Sequence, residues 1–116
     1  MGGSCKEIAF EGRTPEEAQM KTNYELREER IVVLRDRIDA LEDTLEDLER
    51  ALRRARRVLE SSTPSDPDAA HWSIAQSDRY HAARLGCEKI CDLMRPVRTE
   101  LIDSRKEVAM LEYLNA

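Results

Sequence analysis

The sequence predicts an all-α protein: two long helices, about residues 14–60 and 67–114, folded back on each other as an antiparallel coiled-coil hairpin. Three observations predict it. Aliphatic residues step by three and four without error from Ile31 to Leu59. Neither Gly nor Pro stands between Glu16 and Glu60. Aromatic residues are only 4% of the chain against 37% charged, so a core must be built from Leu, Ile, Val, Ala and Met, which suits helix seams better than a sandwich or a doubly wound sheet.

A chain of 116 residues fits one domain. Met1-Gly2-Gly3-Ser4 reads as an added leader, and residues 1–13 as that leader plus a short or disordered N-terminal segment. Thr14-Pro15-Glu16-Glu17 is a helix start: Thr14 caps, Pro15 suits the first helical position and Glu17 completes a capping box. Five arginines (Arg50, Arg53, Arg54, Arg56, Arg57) are placed to favour the negative end of the helix dipole. Residues 61–68, with Pro64 and Pro67, form the one polar break, and Thr63 or Asp66 caps the segment 67–116 that follows. Pro96 removes a backbone hydrogen bond, so a kink near Asp92–Arg95 or two abutting helices is expected, with Gly86 a milder weakness.

With Ile31 at heptad position a, the first seam is Ile31, Leu34, Ile38, Leu41, Leu45, Leu48, Leu52, Ala55 and Leu59, and the frame extends back through Arg27 and Tyr24 to Met20. Arg27 at a d position weakens the seam and discourages a wrong oligomer. The second stripe is Cys87, Ile90, Met94, Val97, Leu101, Val108 and Leu111, interrupted by Ser104. Leu85, Leu93, Ile102, Ala109 and Leu114 widen it, which predicts contact with more than one neighbouring helix.

A hairpin centred on residue 64 brings Ile38 to Ile90, Leu34 to Met94 and Ile31 to Val97. Its flanks pair Glu42 with Arg84, Glu28 with Arg98 and Arg30 with Glu100, against one repulsion between Lys21 and Arg105. A parallel homodimer matches its flanks less well, and Thr44, Ala51 and Val58 contribute nothing there. Such pairs are worth only about 0.2–0.5 kcal/mol each. The expectation is a hairpin that dimerises through its spare apolar width into an antiparallel four-helix assembly.

Other constellations carry less. Cys87 and Cys91 share a helix face with His81 upstream, which is at most half a zinc site; the plainer reading is a small buried side chain on the seam. Three cysteines without a disulfide pattern point to a reducing compartment, cytosol or nucleus. The acidic block Asp39, Glu42, Asp43, Glu46, Asp47, Glu49 has no pocket to part its pKa values, so it reads as a solvated face. The arginines can touch phosphates, but no aromatic is interleaved and the net charge is −5, so nucleic acid is not the expected partner. Trp72, at the hairpin tip, either seals the seam or offers an anchor to a partner. No apolar run approaches the roughly 18–20 residues of a membrane span. No phosphate loop, nucleophile elbow or His-Glu metal motif occurs.

These readings point to a non-catalytic oligomerisation or scaffold module, a fragment of a larger cytoskeletal, trafficking or chromosome-associated protein. No cofactor or metal is expected, and the partner is a protein, first of all a second copy of the chain. The rival is a helical binding module that offers a groove lined by Leu85, Leu93, Ile102 and Leu114, or its Trp72 tip, to a partner helix or a small GTPase-like domain.

Overall fold

A computed structural model describes residues 20–116. Two long helices, α1 (Asn23–Ser62) and α2 (Ile74–Asn115), pack along each other and are joined by a loop holding a 3₁₀ turn at Ala69–His71. There is no strand among the described residues. The molecule is a rod of 95 × 32 × 17 Å.

The start of α1 uses the expected chemistry at another place. Thr22 Oγ1 accepts from the Glu25 amide (3.1 Å), and Glu25 Oε1 accepts from the Thr22 amide (2.9 Å). This capping box satisfies two of the amides a helix start leaves unpaired. The Thr14–Glu17 box and the 1–13 segment lie outside the described residues, and Met20, Lys21 and Thr22 are not helical, so α1 begins at Asn23 rather than near residue 14. At its other end α1 runs to Ser62, and Thr63 Oγ1 donates to the Leu59 carbonyl (2.7 Å). The arginines therefore lie inward of the last turn, which holds no basic residue, and the dipole contribution expected of them has largely decayed.

The loop is longer than expected. Thr63 and Asp66 do not cap the second helix. Asp66 accepts from the Asp68 amide (2.9 Å), Asp68 accepts from the Ala70 amide (3.0 Å), and the chain makes its 3₁₀ turn before Ser73 opens α2. Ser73 Oγ accepts from the Gln76 amide (3.1 Å), and Gln76 Oε1 accepts from the Ser73 amide (2.8 Å). Residues 67–73, expected to be helix, thus belong to the loop. From Ile74 the helix is single: Pro96 lies inside it, and the two-helix alternative does not occur. Pro96 and Asp92, whose carbonyl loses its helical donor, are both exposed residues.

The seam is the expected one at a different register. Ile31, Leu34 and Val108 form a buried cluster with Ile38 and Leu111 against it, and Leu41, Leu52, Met94 and Leu101 are buried further along. Cross-helix pairs bracket this seam, with Arg30–Glu107 and Arg37–Glu100 on one flank and Arg35–Glu112 and Glu42–Arg105 on the other. They set Ile31 level with Leu111, Leu34 with Val108, Ile38 with Ser104, Leu41 with Leu101, Leu48 with Met94 and Ala55 with Cys87. Ile31 therefore faces Leu111 rather than Val97, a slide of 14 residues, or two heptads, from the register centred on residue 64. A whole-heptad slide keeps every a and d position in phase, so hydrophobic pattern alone is blind to it.

Ser104 does not interrupt the stripe. It is 7% exposed and occupies a seam position opposite Ile38. At the chain ends the seam closes on polar groups. Asn115 Oδ1 accepts from Arg27 Nε (2.5 Å), while its Nδ2 donates to Glu28 (2.8 Å) and to the Tyr24 carbonyl (3.2 Å). Arg27 at its d position is thereby matched. Tyr24 and Met20 have no α2 residue level with them and are 54% and 74% exposed, so neither belongs to the seam as expected.

Candidate interaction surfaces

The hairpin has two broad faces, which share the seam and differ in charge. The front face carries the g and c heptad positions of both helices. The back face carries the e and b positions. Local recesses confirm the sorting. One in the front is lined by Arg30, Val33, Arg37, Glu100, Asp103 and Glu107 above Leu34 and Ser104. The short Ser104 side chain lies in its floor. Two in the back are lined by Arg56, Arg84, Cys87, Cys91 and Arg95 over Leu52 and Leu59, and by Glu49, Arg53, Arg56 and Arg98 beside Met94.

The back face is charged along its whole length. Glu28, Arg35, Glu42, Glu49 and Arg56 run down α1 against Glu112, Arg105, Arg98 and Arg84 on α2. The front carries cross-helix ion pairs only toward the chain ends, among the described residues. There Arg30 binds Glu107 through two hydrogen bonds (2.9 and 3.3 Å), which lower the Glu107 carboxyl below its ordinary value and raise the Arg30 guanidinium. Toward the loop, the front g positions are Thr44, Ala51 and Val58 on α1 and Leu93, Gly86 and Arg79 on α2, with Asp47, Arg54 and Lys89 at the c positions outside them.

The sequence-predicted seam residues do come together. Ile31, Leu34, Leu41, Leu52, Met94, Leu101 and Val108 are buried, while Ile38, Leu45, Leu48, Leu59, Cys87, Ile90, Val97 and Leu111 are half-buried. The residues expected to widen α2 into a groove do not converge. Leu85, Leu93, Ile102 and Leu114 are each at least half exposed. Heptad phase puts Leu93 on the front, Ile102 on the back and Leu85 on the outer edge. The sequence reading passed over Val32, Val33, Met110 and Tyr113, all more than half exposed. Their signal was present as apolar residues off the a and d positions.

At the tip, Trp72 is half-buried. Its Nε1 donates to the Asp66 carbonyl (2.8 Å), and its ring meets Tyr80 edge-on at 5.1 Å. Beside it His71 Nδ1 lies 3.0 Å from Asp66. Cys87 is half-buried and Cys91 exposed, both as free thiols, and His81 rests edge-on against Tyr80. Among the described residues no group of three His, Cys, Asp or Glu side chains is placed to hold a metal ion. No helix among them is long and apolar enough to cross a membrane.

The class these features define is an antiparallel two-helix coiled-coil hairpin whose outer faces are exposed among the described residues. No family model, no curated protein and no solved structure matches the chain.

Proposed function

We propose that this chain is a non-catalytic coiled-coil module that joins two copies of itself and spaces what is attached to them, within a larger cytoskeletal, trafficking or chromosome-associated protein. One observation carries the reading. The hairpin satisfies its own heptad seam within one chain, yet Val33, Val58, Leu93 and Met110 remain more than half exposed on its front. Aliphatic groups left in water favour a further helix layer, at roughly 25 cal/mol per Å² covered. Free thiols accord with a reducing compartment, cytoplasmic or nuclear.

The test is molar mass in solution by light scattering across a dilution series. Twice the chain mass of 13.4 kDa is expected. A species that stays at one chain mass at every concentration overturns the reading. The second reading, a helical module that binds a different protein, draws on the exposure of Leu85, Leu93, Ile102 and Leu114 in the single chain. Their spread over three faces argues against one groove.

A further inference from the structure

We propose that the two copies meet front face to front face over the halves near the loops, with the loops pointing to opposite ends of the assembly. This rests on the oligomerisation reading and names its surface and geometry.

The occupant is a second copy because the front face is complementary to itself under one two-fold axis. Gly86 is the first sign. A glycine inside a helix costs roughly 0.5–1 kcal/mol relative to alanine. Nothing among the described residues requires it, since a Cβ at Gly86 would meet no atom of theirs within 4 Å. The hole above it faces outward. Leu93, one heptad away on the same face and 58% exposed, is a knob of the size that fills it. A two-fold axis crossing the rod between Gly86 and Leu93 sets each copy's Leu93 over the other's Gly86.

The charges on α1 obey the same axis. Asp47 and Arg54 are also one heptad apart on the front, opposite in sign, and their midpoint lies nearly level with that of Gly86 and Leu93. The axis that seats Leu93 therefore sets Asp47 of one copy against Arg54 of the other, twice, while Ala51 meets its own symmetry mate with little bulk between. Arg54 makes no ion pair among the described residues, so it is available to this contact.

Burial costs decide the extent. The g positions well inside the loop half are Thr44, Ala51, Val58, Gly86 and Leu93, which carry no charge; Arg79 at the loop-side edge and Lys89, which comes near its own mate at the axis, keep their charged ends in water at the rim. At the other half the g positions are Arg30, Arg37, Glu100 and Glu107, and covering those desolvates charges. An overlap of about 22 residues at 1.5 Å rise and about 20 Å width covers about 650 Å² per copy. That is about 1,300 Å² in all, within the roughly 1,200–2,000 Å² of stable interfaces.

Sedimentation equilibrium on four variants of the full chain tests this. Gly86→Arg fills the hole without touching the hairpin, and is expected to weaken the dimer about thirtyfold or more, as the loss of a central contact does. Ile102→Glu, on the back, leaves it unchanged. Arg54→Asp sets like charges against Asp47 and weakens the dimer about tenfold through two symmetric pairs, and the double swap Asp47→Arg with Arg54→Asp restores it. With loops at the same end, Arg54 would instead lie near Lys89 of the other copy, and Arg54→Asp would strengthen the dimer. A dimer insensitive to Gly86→Arg, strengthened by Arg54→Asp or not rescued by the double swap overturns this geometry while leaving the oligomer in place. A monomeric wild-type chain overturns both.

Discussion

The two halves of the hairpin follow one heptad plan and hold together differently. In the half near the chain ends, four ion pairs cross between α1 and α2, the Asn115 side chain ties Arg27 and Glu28, and Ile31, Leu34 and Val108 form a buried cluster. In the half near the loop, the charged contacts among the described residues are local ones: Arg50 with Glu46 and Asp47, Arg84 with Glu88 and Arg95 with Asp92 within a helix, and His71 with Asp66 and Asp68 in the loop. Cross-helix charge favours one pairing of residues, whereas charge along one helix supports that helix in any register. The difference teaches that the register-sensitive contacts lie at the chain ends, while the loop half has no cross-helix ion pair among the described residues.

The sharpest way to break that account is an all-or-none one. In a chain with Cys5, Cys87 and Cys91 changed to Ser, the pair Ile38→Cys with Ser104→Cys is expected to form an internal cross-link under mild oxidation, because the two are level across the seam. The pair Ile38→Cys with Ile90→Cys, opposed in the other heptad register, is expected to stay open. The result is read by gel mobility and intact mass. A cross-link in the second pair alone would put the hairpin two heptads away and remove all four ion pairs at once.

The next largest effect compares equal deletions in the two halves. Leu34→Ala empties a 4%-exposed site inside the buried cluster and is expected to cost about 2–4 kcal/mol. Leu59→Ala, half-buried near the loop, is expected to cost about half that. Urea unfolding followed by circular dichroism at matched protein concentration measures both. Equal costs would mean that the halves are equally packed and that the contrast lies in charge alone.

How much of this was legible beforehand follows from the same contrast. The helices and seam were legible because an a/d pattern from Ile31 to Leu59 permits little else. Register was not, since sliding by two heptads leaves Ile31, Leu34 and Ile38 on the seam with new aliphatic partners. Flanking charges worth a few tenths of a kcal/mol each gave attractions in the other register too, such as Glu42 with Arg84. What decides it is the Asn115–Arg27 contact and the late helix start, and Ser73-x-x-Gln76 carries that start as a capping signature. Two prolines at 64 and 67 drew the helix start earlier, although Asp66 and Asp68 fold that stretch into turns. Ser104 read as a gap because a hydroxyl is polar, yet it is small enough to be enclosed opposite Ile38. The front near the loop was legible only as residues that contribute nothing, since a surface awaiting a partner has no periodic signal of its own.

Pro96 lies where the two halves meet. Replacing it by alanine restores an amide donor for the Asp92 carbonyl and removes the ring's crowding of the preceding turn. Pro96→Ala is expected to raise stability by about 1–3 kcal/mol, since the residue sits on an exposed side of a continuous helix. The check is the urea midpoint of the variant. A loss of stability instead would show that a bend at Pro96 is needed to keep both halves in contact.

The smallest expected effect distinguishes acid sensitivity in the two halves. The Glu107 carboxyl is lowered below its ordinary value mainly by the hydrogen bond from Arg30, and the Glu25 carboxyl by the Thr22 amide and then its hydroxyl. Both belong to the half near the chain ends. A group whose folded pKa is depressed binds its proton more readily in the unfolded chain. Its stabilisation is therefore complete above the unfolded value, near 4.3 for a glutamate, and disappears as pH falls through the lower folded value. Acidification through that window is expected to loosen the ends before the loop. Glu107→Gln and Glu25→Gln are each expected to lower the melting temperature at neutral pH slightly and to flatten its decline on acidification, because the variant has less left to lose. Amide exchange resolved by residue supplies the spatial readout, with protection around residues 24–35 and 104–115 falling ahead of that around residues 50–60 and 76–90. If the loop half opens first in acid, the charges at the chain ends are ornaments on a register that packing already holds, and the functional division between the halves loses its basis.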